Sequence, residues 1–242
     1  MDFCLRNNID FVFFFISFLF ICNERVRAID FWKNICIMKL LIDYSIKDSM
    51  NTKDKIYRSA LKIFVKDGFS ATTASITNDA GLSSGILFHY FSTKNSLIID
   101  LYATILLEYY QESVQLFDQT PENDFDGYKK IAREMWDKLI SWGLDNWQKF
   151  QYMQLFEGSL LADQFIIEDN KEIECLRNKM DEYGRFGIRN KYFKDLPPDY
   201  LTKITQTAII FIIKYLYEHP HYRNDKEMMN KFWNVHLGLL VR

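Results

Sequence analysis

The chain has 242 residues, 48% of them hydrophobic, which is enough for a sizeable buried core and excludes disorder along its whole length. Its formal net charge is −2, so overall charge singles out no class of partner. With only 4 prolines and 9 glycines, and few Val or Thr runs of period two, the composition favours an all-α fold over a sandwich or barrel.

Charge is not evenly spread. Residues 50–100 hold six Lys/Arg against four Asp/Glu, whereas residues 101–242 hold eighteen against twenty-two. The mild basic bias of the first segment suits phosphate contact, and it suits an ordinary solvated helix face equally well. Cys4, Cys22, Cys36 and Cys175 form no CxxC pair and no zinc spacing, so a reduced, cytoplasmic protein is expected.

The first 49 residues contain the apolar run Phe11 to Cys22, twelve residues long, against the roughly 20 that a spanning helix needs. Asp2, Arg6 and Asp10 precede it and Asn23-Glu24-Arg25 follow it, which fits poorly with the basic start and small-residue cleavage site of a secretory signal. Residues 1–49 therefore read as a spurious or disordered extension, with translation expected to begin at Met50 or, second, at Met38. A membrane anchor is the next reading of this segment, and secretion the last.

From Met50 the pattern becomes helical. Ile56, Ala60, Ile63 and Phe64 share one face, Lys53, Lys55, Lys62 and Lys66 remain outside it, and a first helix is predicted from Thr52 to Asp67, stopped by Gly68. Thr72-Thr73 supply hydroxyls for the start of a second helix ending at Ala80. Gly81-Leu82-Ser83 makes a turn, with Leu82 expected between the helices and Ser83 expected to cap a third helix through Tyr90. This is a helix-turn-helix pattern, although a packing hairpin of two helices has the same outline. Small residues (Ser83, Ser84, Gly85) at the start of the third helix are what a close approach to base edges requires.

Ala60, Leu61, Phe64, Gly68-Phe69, Thr72-Thr73, Ile76, Ala80-Gly81, Ser83, Gly85, Phe88-His89-Tyr90-Phe91, Lys94 and Leu97 together make residues 56–101 resemble the TetR family of transcriptional regulators. Two departures stand out: the spacing from Thr73 to Ile76 is a residue short, and Phe88 stands where the family commonly has tyrosine. The resemblance implies that residues 50–97 form a DNA-binding domain and residues 98–242 a helical effector-binding and dimerisation domain. It implies phosphate contacts from Thr72 or Thr73, Tyr90 and Lys94, which position a protein without reading sequence. Ser84, Gly85, Leu87 and Phe88 are the candidates for the base-reading surface, where serine can bond base edges and apolar groups can meet a thymine methyl, and Ser83 is expected among the DNA-binding residues. His89 has two readings, one at the phosphate backbone and one in the interior.

Beyond Lys94 the stripe Leu97, Ile98, Leu101, Tyr102, Ile105, Leu106 and Tyr109 predicts a long fourth helix to Phe117, and five more helices follow, at 125–142, 146–161, 168–193, 199–218 and 225–240. Tyr109, Trp136, Trp147, Tyr152 and Phe156 are candidates for an effector pocket, which the resemblance implies; aromatic stripes of this kind also serve as plain core. The run Ala208 to Ile213 is apolar on every side, and the last helix is broadly apolar. The resemblance implies a homodimer packed through these two helices, with Ile209, Ile212, Ile213, Leu216, Phe232, Trp233 and Leu239 at its interface, which would present two recognition helices to palindromic double-stranded operator DNA. His219, His221 and His236 lack the further ligands of a closed zinc site, and no metal or cofactor is expected. With no nucleophile, phosphate-binding glycine loop or paired carboxylates in view, an enzyme is not expected, and the resemblance implies a repressor released from operator DNA by a small apolar or aromatic effector. The alternatives are a DNA-binding protein controlled by a protein partner, and a membrane-anchored interaction protein.

Overall fold

A computed structural model of the protein describes residues 52–114, 116, 124–166 and 169–241. Residues 1–51, and with them the apolar run Phe11 to Cys22 and the proposed start at Met50, lie outside the described residues. Residues Asp54 to Arg242 belong to one compact unit. Among the described residues that unit is all-α, apart from an isolated bridge between Phe193 and Val241.

Helix α1 covers residues 52–67 and ends at Gly68, whose φ of 73° is a left-handed conformation that costs glycine no Cβ clash. Helices α2 (Thr73–Ala80) and α3 (Ser84–Tyr90) follow, and then α4 (Lys94–Val114) runs 21 residues without interruption. The boundary drawn between residues 97 and 98 thus falls inside one helix. Ile56, Ala60 and Phe64 of α1, Ile76 of α2, Leu87 of α3 and Leu97 through Tyr110 of α4 share a single core with Tyr152 and Phe156 further along the chain.

The remaining helices are α5 (Phe125–Asp145), α6 (Trp147–Glu157), α7 (Lys171–Arg189), α8 (Pro198–Glu218) and α9 (Lys226–Leu240). Their starts follow local chemistry: Asp124, Asn170 and Asp225 each accept a backbone N–H of the first turn, and Pro198 opens α8 where no amide hydrogen is needed. A second core forms where α5, α8 and α9 meet, from Trp136, Leu139, Ile140, Ile209, Ile212, Ile213, Leu216 and Trp233, with Phe150 of α6. Gly143 allows the tightest contact there, since a Cβ on it would come within 2.6 Å of Ile213.

His236 is buried beside the Trp136 and Trp233 rings, with centroids 6.1 and 5.7 Å away, and its Nδ1 has no hydrogen-bond partner. Charged groups at this corner include Arg133, whose guanidinium lies over both tryptophans, Asp137, which accepts from Arg133, and Lys194, which donates to the Gly238 and Leu239 carbonyls. Burial pushes the imidazole down to about 4 from an ordinary 6.5, because a charge there would have to leave water unpaired. The unfolded chain therefore binds a proton that the folded one refuses between those two values, so this contribution is complete above pH 6.5 and is lost as pH falls toward 4. In urea unfolding, the wild type should lose on the order of 3 kcal/mol more than His236→Leu between pH 7 and pH 4; equal losses would show that His236 is not held neutral.

Candidate nucleic-acid interface

The pair α2 and α3 forms from short-range signals. Thr72 is extended, and its hydroxyl accepts the Ser75 N–H at 3.1 Å, which sets the start of α2 despite the short spacing to Ile76. Gly81, at φ 66°, closes the helix, and the Leu82 N–H returns to the Thr77 carbonyl at 2.9 Å. Leu82 packs half-buried against the core, as the turn pattern predicted. Ser83 occupies the capping position of α3, but its side chain makes no capping bond, contrary to expectation; the residue is exposed.

Two residues anchor α3: Leu87, fully buried, and Phe91, buried at its end. Leu87 therefore cannot belong to the base-reading surface where the sequence placed it, since it packs inward with Ile56, Phe64 and Ile76. The opposite side exposes Ser84, Gly85, Ile86, Phe88 and His89. His89 is thus not an interior residue; its ring lies outside, edge-on to Tyr90 at 5.5 Å. Tyr90 is half-buried between His89 and Phe91. Ile86 was missed by sequence reasoning because Ile-Leu-Phe offers three apolar neighbours and no sign of which one turns inward.

Cations near this surface are partly committed. Lys94 donates to the carbonyls of Phe69 and Ala71 at 2.8 and 3.2 Å, which ties the α1–α2 loop to the head of α4 and leaves one ammonium hydrogen for another acceptor. Lys62 pairs with Asp79 at 2.5 Å, and that bond, with one from Ser59, holds the Asp79 carboxyl below its usual range. Exposed Lys55, Arg58 and Lys66 keep α1 basic. Thr72 is exposed and Thr73 half-buried at the start of α2.

Residues 56–101 match the model of the bacterial regulatory proteins, tetR family. Over that stretch the chain is similar to the TetR family. It is 40% identical over 53 residues to the HTH-type transcriptional regulator QacR of Staphylococcus aureus, a match covering 22% of this chain and 28% of that one. With the HTH-type transcriptional regulator YerO of Bacillus subtilis it shares 27% over 123 residues, 50% of this chain and 39% of the relative. The chain thus spans about two fifths or less of the length of these curated relatives. A solved TetR-family regulator from Marinobacter aquaeolei shares the fold, with a TM-score of 0.65 over 82% of this chain and 98% of the other, at 17% identity.

Outside the head, three of the expected pocket aromatics, Trp136, Tyr152 and Phe156, are core, whereas Tyr109 and Trp147 are half-buried and pack against it. Tyr152 and Phe156 are buried, Tyr152 donating to the Ile98 carbonyl at 2.8 Å and Phe156 stacking on Tyr102 at 4.0 Å. Trp136 lies in the other core, Trp147 stacks on Tyr217 at 3.6 Å, and Tyr109 meets Trp142 edge-on. Each of the five packs on a ring outside the set: Tyr109 on Trp142, Trp136 on Trp233, Trp147 on Tyr217, Tyr152 on Phe69 and Phe156 on Tyr102. A cleft of about 360 Å³ opens instead beside α4, lined by Glu108, Gln111, Glu112, Lys138, Trp142 and Asn146. His219 stacks on Tyr215, and no group of His, Cys, Asp or Glu among the described residues has the arrangement of a metal site.

The dimer residues need a similar correction. Ile209, Ile212, Ile213, Leu216 and Trp233 are buried within the chain's own core, and Phe232 packs against it. Leu239 is exposed, as expected, and the outward companions are Phe211 (65% exposed) and Val235 (68%). A direct check of the α3 assignment is thermal unfolding: Leu87→Ala should cost about 2–5 kcal/mol, whereas Phe88→Ala should stay within about 0.5 kcal/mol of the wild type.

Proposed function

We propose that this chain is a dimeric, DNA-binding transcriptional repressor of the TetR family whose grip on palindromic operator DNA is altered by a small effector. The observation that carries it is the head itself: a three-helix core that buries Leu87 and leaves Ser84, Gly85, Ile86, Phe88 and His89 of α3 exposed. Thr72, Thr73, Tyr90, Lys94 and the exposed Lys55, Arg58 and Lys66 of α1 would hold phosphates, while the exposed side of α3 enters the major groove.

The two-fold partner meets α8 and α9 through Phe211, Val235 and Leu239, whose exposure on two neighbouring helices supports a second copy of the same face. The effector acts on α4, which runs from the head into the helical body. Its proposed seat is the cleft beside α4, whose lining of two glutamates, a lysine, two amides and Trp142 suits a polar aromatic better than a purely apolar molecule. To switch binding, the effector must favour one separation of the two heads over the other.

The filled aromatic core also favours a second reading, a DNA-binding protein controlled by a protein partner with no small effector. The membrane-anchored reading rests on Phe11 to Cys22, which lies outside the described residues.

The test is binding of the full chain to a labelled duplex from its own upstream region. Affinity should fall linearly in log–log terms with added salt, and a chain that retains no duplex at low salt would overturn the reading. Phe211→Glu combined with Val235→Glu should sediment as a monomer and lose on the order of a hundredfold in operator affinity, because linkage of two half-site readers is gone. A double variant that stays dimeric would place the interface elsewhere.

A further inference from the structure

We infer that the recognition helix of this chain selects its operator through thymine methyl groups, with Ile86 and Phe88 as the readers. The inference rests on the DNA-binding reading above and names what that surface recognises.

Helix α3 reads Ser84-Gly85-Ile86-Leu87-Phe88-His89-Tyr90, with no Arg, Lys, Asn, Gln, Asp or Glu. The bidentate pairs that identify guanine (Arg or Lys) and adenine (Asn or Gln), and the carboxylates that identify cytosine, therefore have no donor or acceptor on this helix. Its exposed polar groups, Ser84 and His89, can bond the N7 acceptor that guanine and adenine share, which does not separate the two. What remains outward is apolar: Ile86 is 39% exposed and Phe88 48%. On α1 and α2 the outward residues include Lys55, Arg58, Lys62, Lys66, Asn78 and Asp79, so the bare apolar pair is particular to α3.

The placement suits groove contact. Successive helical residues are turned by roughly 100°, so Ile86 and Phe88 lie on either side of Gly85. Gly85 is exposed and a Cβ there would meet only Ser83 Oγ, at 3.9 Å, which leaves the backbone between the two side chains unobstructed. The same turn sets the two side chains roughly 160° apart, so they diverge and each meets a different base pair. Thymine's C5 methyl is the apolar group that the four bases present in the major groove. Phe88 has no hydroxyl to give to a phosphate, so its exposed ring has only apolar contact to offer.

The experiment begins with the full chain and a duplex pool carrying a random 30-base-pair region. Rounds of binding should enrich a palindrome with thymine at two or more positions in each half-site. Each selected thymine is then replaced by uracil, which removes the methyl and leaves the base pairing intact. At positions facing α3 the wild type should bind about fourfold more weakly per methyl removed. Ile86→Ala and Phe88→Ala, checked for wild-type helicity by circular dichroism, should each lose that discrimination at one position and keep it at the other. Uracil duplexes bound as tightly as thymine duplexes, or half-sites defined by guanine alone, would overturn the inference while leaving the regulator reading intact. A pool that yields no enriched sequence would overturn the regulator reading, and this inference with it.

Discussion

The arrangement of the head depends on a seam of aromatic rings that reaches from α1 to α6. Phe64 meets Phe69 edge-on at 5.4 Å, both rings touch Tyr152 at 6.2 and 5.7 Å, and Phe69 also reaches Phe156. Each such pair contributes about 0.5–1.5 kcal/mol beyond the area it buries. The Tyr152 hydroxyl then donates to Ile98 in α4, so one side chain ties the core of the head to the long helix beneath it. Around the seam, Tyr57 bonds Asp100 and Lys94 holds the carbonyls of Phe69 and Ala71. The head is consequently fastened to α4 and α6 at several points, and a displacement of either helix must carry α1–α3 along or break packed ring contacts. That requirement makes α4 a usable lever in the proposed repressor: a rigid connection passes on a shift that a flexible linker would absorb.

Much of this was legible in the sequence where a residue's chemistry acts over a few neighbours. Gly68 and Gly81 stop helices because each takes a positive φ, and Thr72 starts α2 because its hydroxyl reaches the Ser75 N–H; all three signals are local. What failed was the rotation of helices whose apolar residues outnumber one face. In Ile86-Leu87-Phe88 any of the three could face inward, and Leu87 does so because the core between Ile56, Phe64 and Ile76 accepts it. In Ile209 to Ile213 the same ambiguity covers a whole turn, and it resolves with Ile209, Ile212 and Ile213 inward and Phe211 outward. The pocket aromatics failed for a related reason. Aromatic spacing along a helix fixes which residues are neighbours, but whether the rings enclose space or one another is decided by the facing helices, and here Phe156 finds Tyr102 and Trp147 finds Tyr217.

These rotations bear on function because each exposed apolar residue is defined by the one buried beside it. Gly143 lets Ile213 come against α5 more closely than any residue with a side chain would permit, so the inward line of α8 has little freedom to turn. With Ile209, Ile212, Ile213 and Leu216 committed, Phe211 has nowhere to go but outward. On α9 Trp233, His236 and Leu240 are committed in the same way, which leaves Val235 and Leu239 outside. The proposed two-fold face therefore follows from the fit of α8 and α9 against α5. In the proposed dimer, the separation of the two α3 helices is set first by that fit and only then by α4. A substitution that filled the Gly143 contact would rotate or lift α8, and it would change operator spacing from a site that touches neither DNA nor the partner.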